Sequence, residues 1–174
     1  MTDPSETQNT LPATPSLPEG RFQGRQMFID LVRQALAAAA TEGWTRIVLC
    51  DADFADWPLG ERAVVESLQA WSGRGRSLQL LACDYGLMRQ QHPRFVQWRV
   101  TWSHLVEAHV CASASVDELP SALWSPAWTL ERLDASHDSL VASRDARRRV
   151  ALGERLDRWW QRGHPAFPAA TLGL

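Results

Sequence analysis

Lysine is absent from this chain of 174 residues, whose eighteen basic side chains are all arginine. Lysine is the basic residue whose pKa burial readily lowers, so it serves as a general base, a Schiff-base amine and a phosphate ligand. Arginine stays protonated and only donates hydrogen bonds or screens charge. The sequence therefore excludes P-loop nucleotide hydrolysis, pyridoxal chemistry and every other mechanism that needs a catalytic lysine.

Cysteine and long apolar runs are also scarce. Three cysteines, an odd number without paired spacing, argue against a disulfide framework and predict a cytoplasmic location. No stretch approaches the roughly 18 apolar residues of a membrane span, so we expect no membrane partner. Residues 1–20 hold four prolines and no apolar signal-peptide core. They predict a disordered leader, and residues 21–174 are expected to form a single domain.

The chain also lacks a large excess of charge of either sign. The formal net charge is −2, and the first twenty residues carry three acids and no base, so the rest of the chain is close to neutral. Domains that bind nucleic acid commonly show a strongly basic balance. Nucleic acid is therefore not an expected partner.

Apolar periodicity predicts alternating helices and strands. Apolar side chains spaced by three and four residues are typical of an amphipathic helix, and short β-rich runs indicate buried strands. Crossovers longer than about a dozen residues imply parallel pairing of the early strands. We therefore predict an α/β fold: a mostly parallel central sheet with helices on both faces and a late antiparallel hairpin. The predicted helices are 24–41, 59–71, a short piece from 85, 93–102, 116–123 and 144–162, and the predicted strands are 44–50, 77–83, 106–112, 128–134 and 139–144.

The three cysteines stand at the carboxyl ends of three predicted strands, at positions 50, 83 and 111. Parallel strands place these ends along one edge, where open α/β sheets bind ligands. In one interpretation, the acids there bind a divalent cation or a thiol reacts. In the other, the cysteines are small core residues and the aspartates cap helices. The candidate ligand-binding residues at this edge are Asp51, Asp53, Asp84, His109 and Cys83.

Asp51-Ala-Asp53 follows the apolar residues IVLC and is similar to the DxD signature of haloacid-dehalogenase-type phosphatases. In that family the first carboxylate is a nucleophile and the second is a general acid. The chain departs from the family pattern with Ala55 after a bulky Phe54, and it offers no clear later acidic pair. The alternative function that this motif leaves open is a metal-assisted phosphohydrolase using Asp51 and Asp53.

The order of elements resembles a phospholipase D-like domain over about residues 24–162. The resemblance rests on RIVLCDADFADWPLGERAVVESLQAWSGRGRSLQLLACD (46–84), on HPRFVQWRVTWSHLVEAHV (92–110), and on the hairpin and terminal helix that follow. Active members of that family use a His-x-Lys motif with a downstream aspartate, and no lysine is present here to complete it. The resemblance implies a domain without catalytic residues or cofactor. Such a domain would bind a phosphate-bearing small molecule or a protein partner.

The predicted last helix carries seven arginines within 144–162. Leu152, Leu156 and Trp159 follow helical spacing and are expected to face the core, so several arginines project outward. A stripe of this kind can hold phosphates or an acidic partner, or it can be an ordinary solvated face with local pairs. Arg147 and Arg148 complete the set of candidate ligand-binding residues.

The apolar tail HPAFPAATLGL (164–174) has neither helical nor strand periodicity. We expect it to pack on its own domain, because an exposed apolar tail is a liability. Packing of the tail on a partner subunit leaves a structural role in a homo-oligomer as a further alternative.

Overall fold

A single eight-stranded sheet organises the computed structural model, which describes residues 16–134, 136 and 138–169. The strand order is β1-β7-β6-β5-β2-β3-β4-β8. The strands are Gly20–Gln23 (β1), Arg46–Cys50 (β2), Ser77–Ala82 (β3), Val106–Val110 (β4), Ser121–Trp124 (β5), Thr129–Asp134 (β6), Ser139–Ser143 (β7) and His164–Pro165 (β8). The helices are Arg25–Thr41 (α1), Arg62–Trp71 (α2), Gly86–Gln91 (α3), Pro93–Thr101 (α4) and Ala146–Arg162 (α5), with a short 3₁₀ helix at Pro58–Gly60.

The sheet is mixed and mostly antiparallel, so the prediction of a mostly parallel central sheet is wrong. Only β2–β3 and β3–β4 pair in parallel among the seven pairings of the described chain, and the other five are antiparallel. Three strands that were not predicted cause the difference: β1 and β8 add antiparallel pairings at the two edges, and β5 lies antiparallel beside β2 where a helix was predicted over 116–123. With four residues, SALW, β5 is too short for its periodicity to separate strand from helix.

The two faces of the sheet are covered very differently. Strand residues alternate between them, so Ile47 and Leu49 of β2 point to one face, while Val48 and Cys50 point to the other. Helices α1 to α4 cover the first face and build the main core. Among the described helices, α5 alone packs on the second face, and of its residues only Leu152 and Leu156 are buried. We call these the four-helix face and the α5 face.

Both ends of the described chain pack on the domain. Leu17 is buried and the Trp128 indole N–H donates to the Pro18 carbonyl at 2.9 Å, so packing begins before residue 21. Of the disordered leader predicted over residues 1–20, residues 1–15 lie outside the described residues, and residues 16–20 pack on the domain. At the other end, β8 pairs with β4 and Phe167 is buried, so the tail docks on its own domain as far as residue 169. Among the described helices, none combines the length and apolar character needed to cross a membrane.

Candidate functional site

Both carboxylate oxygens of Asp51 accept hydrogen bonds that hold the loop after β2 in place. One carboxylate oxygen, Oδ1, accepts hydrogen bonds from the backbone N–H groups of Phe54 at 2.9 Å and Asp53 at 3.2 Å. The other, Oδ2, accepts from the Ser121 hydroxyl at 2.6 Å. These contacts form an Asx-type turn in which Phe54 adopts a positive φ of 61°. Asp51 therefore fixes a turn and ties it to β5.

The other two strand-end aspartates act in the same way. Asp53 Oδ1 accepts from the Ala55 N–H at 2.9 Å, and Asp84 Oδ2 accepts from the Gly86 N–H at 2.8 Å. No group of three or more His, Cys, Asp or Glu side chains suited to a metal ion occurs in the described part of the chain. Asp51 and Asp53 thus stabilise turns, and the described residues hold no assembled site for a metal-assisted phosphohydrolase.

The thiols lie together but are not activated. Cys50 lies close enough to Asp51, Cys83 and Cys111 for their charges to raise its pKa, after the larger effect of its complete burial. Burial also raises the pKa values of Cys83 and Cys111. Since the thiolate is the reactive form, the structure does not support thiol chemistry at this edge.

His109 is held against α5. Its Nδ1 lies 3.0 Å from the Trp160 carbonyl oxygen, and its ring stacks on the Trp160 ring at 3.6 Å. The Cys83 thiol donates to the Ala114 carbonyl at 3.6 Å. Both side chains are therefore used to fasten α5 and the 111–120 loop over the ends of the parallel strands. The edge is partly covered by these elements: Asp53 and Cys83 are half-buried, and Asp84 is exposed.

A cavity of about 630 Å³ opens beside this edge, and sequence reasoning missed it. The strand-end aspartates do not line it. Its two arginines already have acidic partners: Arg155 pairs with Glu131, and Arg132 pairs with Asp56 at 3.2 Å. The lining consists of residues 116–121, 131–134 and Arg155.

The exposed side of α5 has a different character. Four of its arginines are exposed and form no ion pair with a carboxylate of the described residues. At 100° per residue, Arg147, Arg158 and Arg162 fall within about 60° around the helix axis, and Arg148 flanks them. They extend over about 22 Å of the helix. We call Arg147, Arg148, Arg158 and Arg162 the α5 arginine face.

Three further arginines on or near α5 form ion pairs that join the helix region to other elements, whereas Arg149 donates to the Arg144 carbonyl at 2.8 Å. Arg155 pairs with Glu131 of β6, and Arg46 of β2 pairs with Asp157 at 3.0 Å. Arg144 pairs with Glu42 at 2.6 Å. These partners remove several acids from the surface around the helix, so positive charge is left on its outer side.

The first turn of α5 concentrates positive potential. Asp145 caps the helix by accepting from the Arg148 N–H at 3.0 Å, and no acidic side chain follows in that turn. A helix N-terminus carries partial positive charge, so Arg147 and Arg148 are placed where cations destabilise a helix. An anion would relieve this unfavourable placement.

The far end of the face combines arginine with tryptophan. The Arg162 guanidinium lies 5.4 Å from the Trp159 ring centroid. The pKa of Glu118 is lowered, first by hydrogen bonds from Ser115 and last by the charge of Arg162. Of the seven arginines in the predicted helix, only Arg147 and Arg148 were predicted as ligand-binding residues, although the spacing of Arg158 and Arg162, eleven and fifteen residues from Arg147, is a helical repeat.

The chain matches no protein-family model and no curated protein. It is similar in structure to TrmBL2, described as an archaeal chromatin protein with a novel mode of DNA binding, with a TM-score of 0.63 and 13% sequence identity. The match covers 90% of this chain but only 57% of TrmBL2. At this identity the likeness establishes the fold alone.

This match overturns three expectations. The phospholipase D-like resemblance over about 24–162 is wrong, because the similar solved structure is that of TrmBL2. The function inferred from that resemblance, a non-catalytic phospholipase D-like binding domain, is therefore wrong as well. The exclusion of nucleic acid is wrong as well, because a protein that shares this fold binds DNA and net charge over the whole chain says little about one surface.

Proposed function

We propose that this domain binds DNA through the α5 arginine face. The observation that carries the proposal is the set of four exposed guanidinium groups on one helix, without carboxylate partners among the described residues. The fold shared with TrmBL2, a DNA-binding chromatin protein, supports the same ligand.

Guanidinium groups suit a phosphate backbone for two reasons. Their planar fork donates two parallel hydrogen bonds to phosphate oxygens, and their charge releases the counterions condensed on DNA. The near-neutral net charge of the chain does not argue against DNA binding. Several of its acids lie away from α5, for example Glu61, which pairs with Arg33 at 2.6 Å on the four-helix face.

The composition of the face predicts backbone recognition without base reading. Base readout uses side chains that carry paired donors and acceptors, such as asparagine and glutamine, as well as arginine aimed into a groove. On the exposed side of α5 the charged groups dominate, with Gln161 as the one amide of the helix. We expect affinity to change little with DNA sequence.

The test replaces two arginines that project outward and leaves the core of α5 intact. Arg147→Gln/Arg158→Gln is expected to weaken binding to a duplex by about tenfold or more, because two phosphate contacts are lost. The measurement is fluorescence anisotropy with a labelled duplex. Arg74→Gln is the matched control, since Arg74 is an exposed arginine outside α5, in the turn between α2 and β3.

Two results would contradict the proposal. Wild-type protein that fails to bind duplex DNA at low salt would end it. So would a double variant that binds as tightly as the Arg74→Gln control.

A further inference from the structure

Arg99 of α4 is a buried arginine that lacks an acidic partner. The residue is 4% exposed, and its Nε–H finds no hydrogen-bond partner. It forms no ion pair with any carboxylate in the described part of the chain. Burial is the main cause that lowers its pKa. A buried charge without a counterion is costly, so its environment needs an explanation.

Other arginines that are buried or half-buried show what is missing. The Arg132 side chain is only 5% exposed and pairs with Asp56 at 3.2 Å. Arg33 pairs with Glu61 at 2.6 Å. In each case a carboxylate of this chain compensates the guanidinium charge. At Arg99 no carboxylate of the described residues does so.

A second arginine lies beside Arg99. The guanidinium carbons of Arg99 and Arg89 lie 4.5 and 5.0 Å from the centroid of one ring, that of Phe167. Arg89 is exposed, and its charge is close enough to contribute to the lowered pKa of Arg99. Arg89 also has no ion pair among the described residues. Two guanidinium groups thus lie over one aromatic ring, and neither forms an ion pair with a carboxylate of the described residues.

The tail builds the floor of this cluster. Pairing of β8 with β4 and the hydrogen bond from the Ala166 N–H to the Ala108 carbonyl, at 2.9 Å, carry Phe167 to its place. The Phe167 ring stacks on Tyr85 at 4.9 Å, nearly parallel, and is buried. The cluster is therefore rigidly supported on the side away from solvent.

We propose that Arg89 and Arg99 form a phosphate-binding site on the Phe167 ring. Arg89 supplies the exposed donor and Arg99 supplies a charge that the fold has already desolvated. A phosphate group offers two or more oxygens to such a pair. Phe167 follows Arg162 by five residues, so at most about 18 Å of chain separates the site from the α5 arginine face. As a contact for the DNA backbone the site rests on the proposed function; as a site for free phosphate it does not.

The test uses Arg89→Gln, which removes one exposed charge, with Arg74→Gln as the matched control. Thermal unfolding is followed in inorganic phosphate and in chloride at equal ionic strength, up to about ten times the phosphate dissociation constant. Wild type and the control should gain about 2–4 °C in phosphate. Arg89→Gln should lose at least half of this gain. Phe167→Leu keeps an apolar side chain in the tail but removes the aromatic ring. This variant should also lose the gain in phosphate.

Duplex affinity, measured on the same variants, separates the two sources of phosphate. Loss of both the phosphate response and duplex affinity in Arg89→Gln identifies the DNA backbone as the ligand. Loss of the phosphate response alone identifies a free phosphate compound and leaves the α5 arginine face to its own test. A wild type without a phosphate response, or an Arg89→Gln variant that keeps it, overturns this site while Arg147→Gln/Arg158→Gln still decides the proposed function.

Discussion

The four-helix face and the α5 face of the sheet bury very different amounts of apolar surface. On the first, four helices bury large aromatic side chains such as Phe28, Trp71 and Phe95. On the second, one helix of 17 residues buries two leucines and leaves most of its length in solvent. Hydrophobic stabilisation grows with apolar area removed from water, so the first face supplies most of the stability. The second is left free to present charge, and we place the function there.

The largest expected effect is a difference in stability between the faces. Phe95→Ala should lower the free energy of unfolding by about 3–5 kcal/mol, because a fully buried ring is removed from the thick core. Leu156→Ala on α5 should cost about 2–3 kcal/mol, since the thin layer around it can collapse more easily. Urea unfolding of both variants measures the difference. Equal losses, or a larger loss for Leu156→Ala, would show that α5 contributes as much to stability as the other face.

A smaller effect concerns the ion pair that joins the start of α5 to the end of α1. Arg144 lowers the pKa of Glu42 by hydrogen bonding, and the Trp44 indole adds to this. A carboxyl whose pKa is lowered on folding stabilises the protein above its unfolded pKa of about 4.5. That stability is lost as the pH falls through the folded pKa.

The measurement compares wild type with Glu42→Gln. The variant should be less stable at pH 7 by about 1 kcal/mol or less, because the pair is partly exposed and solvent screens it. As the pH falls through the lowered folded pKa of Glu42, the two proteins should converge. A difference that persists unchanged in acid would mean that packing, and not charge, links Glu42 to the domain.

The smallest expected effect is a gain. Glu154 is exposed and lies within about 20° of Arg147 around the α5 axis, so its charge would face the same phosphates. Glu154→Gln should tighten duplex binding by about threefold at low salt, the size of one screened charge interaction. Fluorescence anisotropy detects such a change, and stability should stay within about 0.5 kcal/mol. Weaker binding by this variant would place the DNA elsewhere.

Much of the local structure was predictable from the sequence. The spacing of Leu152, Leu156 and their neighbours predicted α5, and the apolar runs predicted β2, β3 and β4. The strands that set the sheet topology were not predictable. β5 has four residues and β8 has two, and only their long-range partners define them as strands.

The same holds for the candidate site. The residue types could be predicted from the sequence, but their contacts with residues far away in the chain could not. Aspartates after strands were identified, but the role of Asp51 in holding a turn became clear only from the positions of Phe54 and Ser121. The arginines of α5 were evident as a group, whereas their free or paired state depends on acids far away in sequence. Glu42 lies 102 residues from Arg144, for example. Spacing along the chain carries no information about such a pair.

The salt dependence of duplex binding tests the central claim most directly. If the four guanidinium groups contact four phosphates, log Kobs should fall with log salt at a slope of about −3 to −4 between about 50 and 200 mM. Arg147→Gln/Arg158→Gln should make that slope shallower by about 1.8. A slope near zero, or one that the double substitution leaves unchanged, would contradict the assignment of DNA binding to the α5 arginine face.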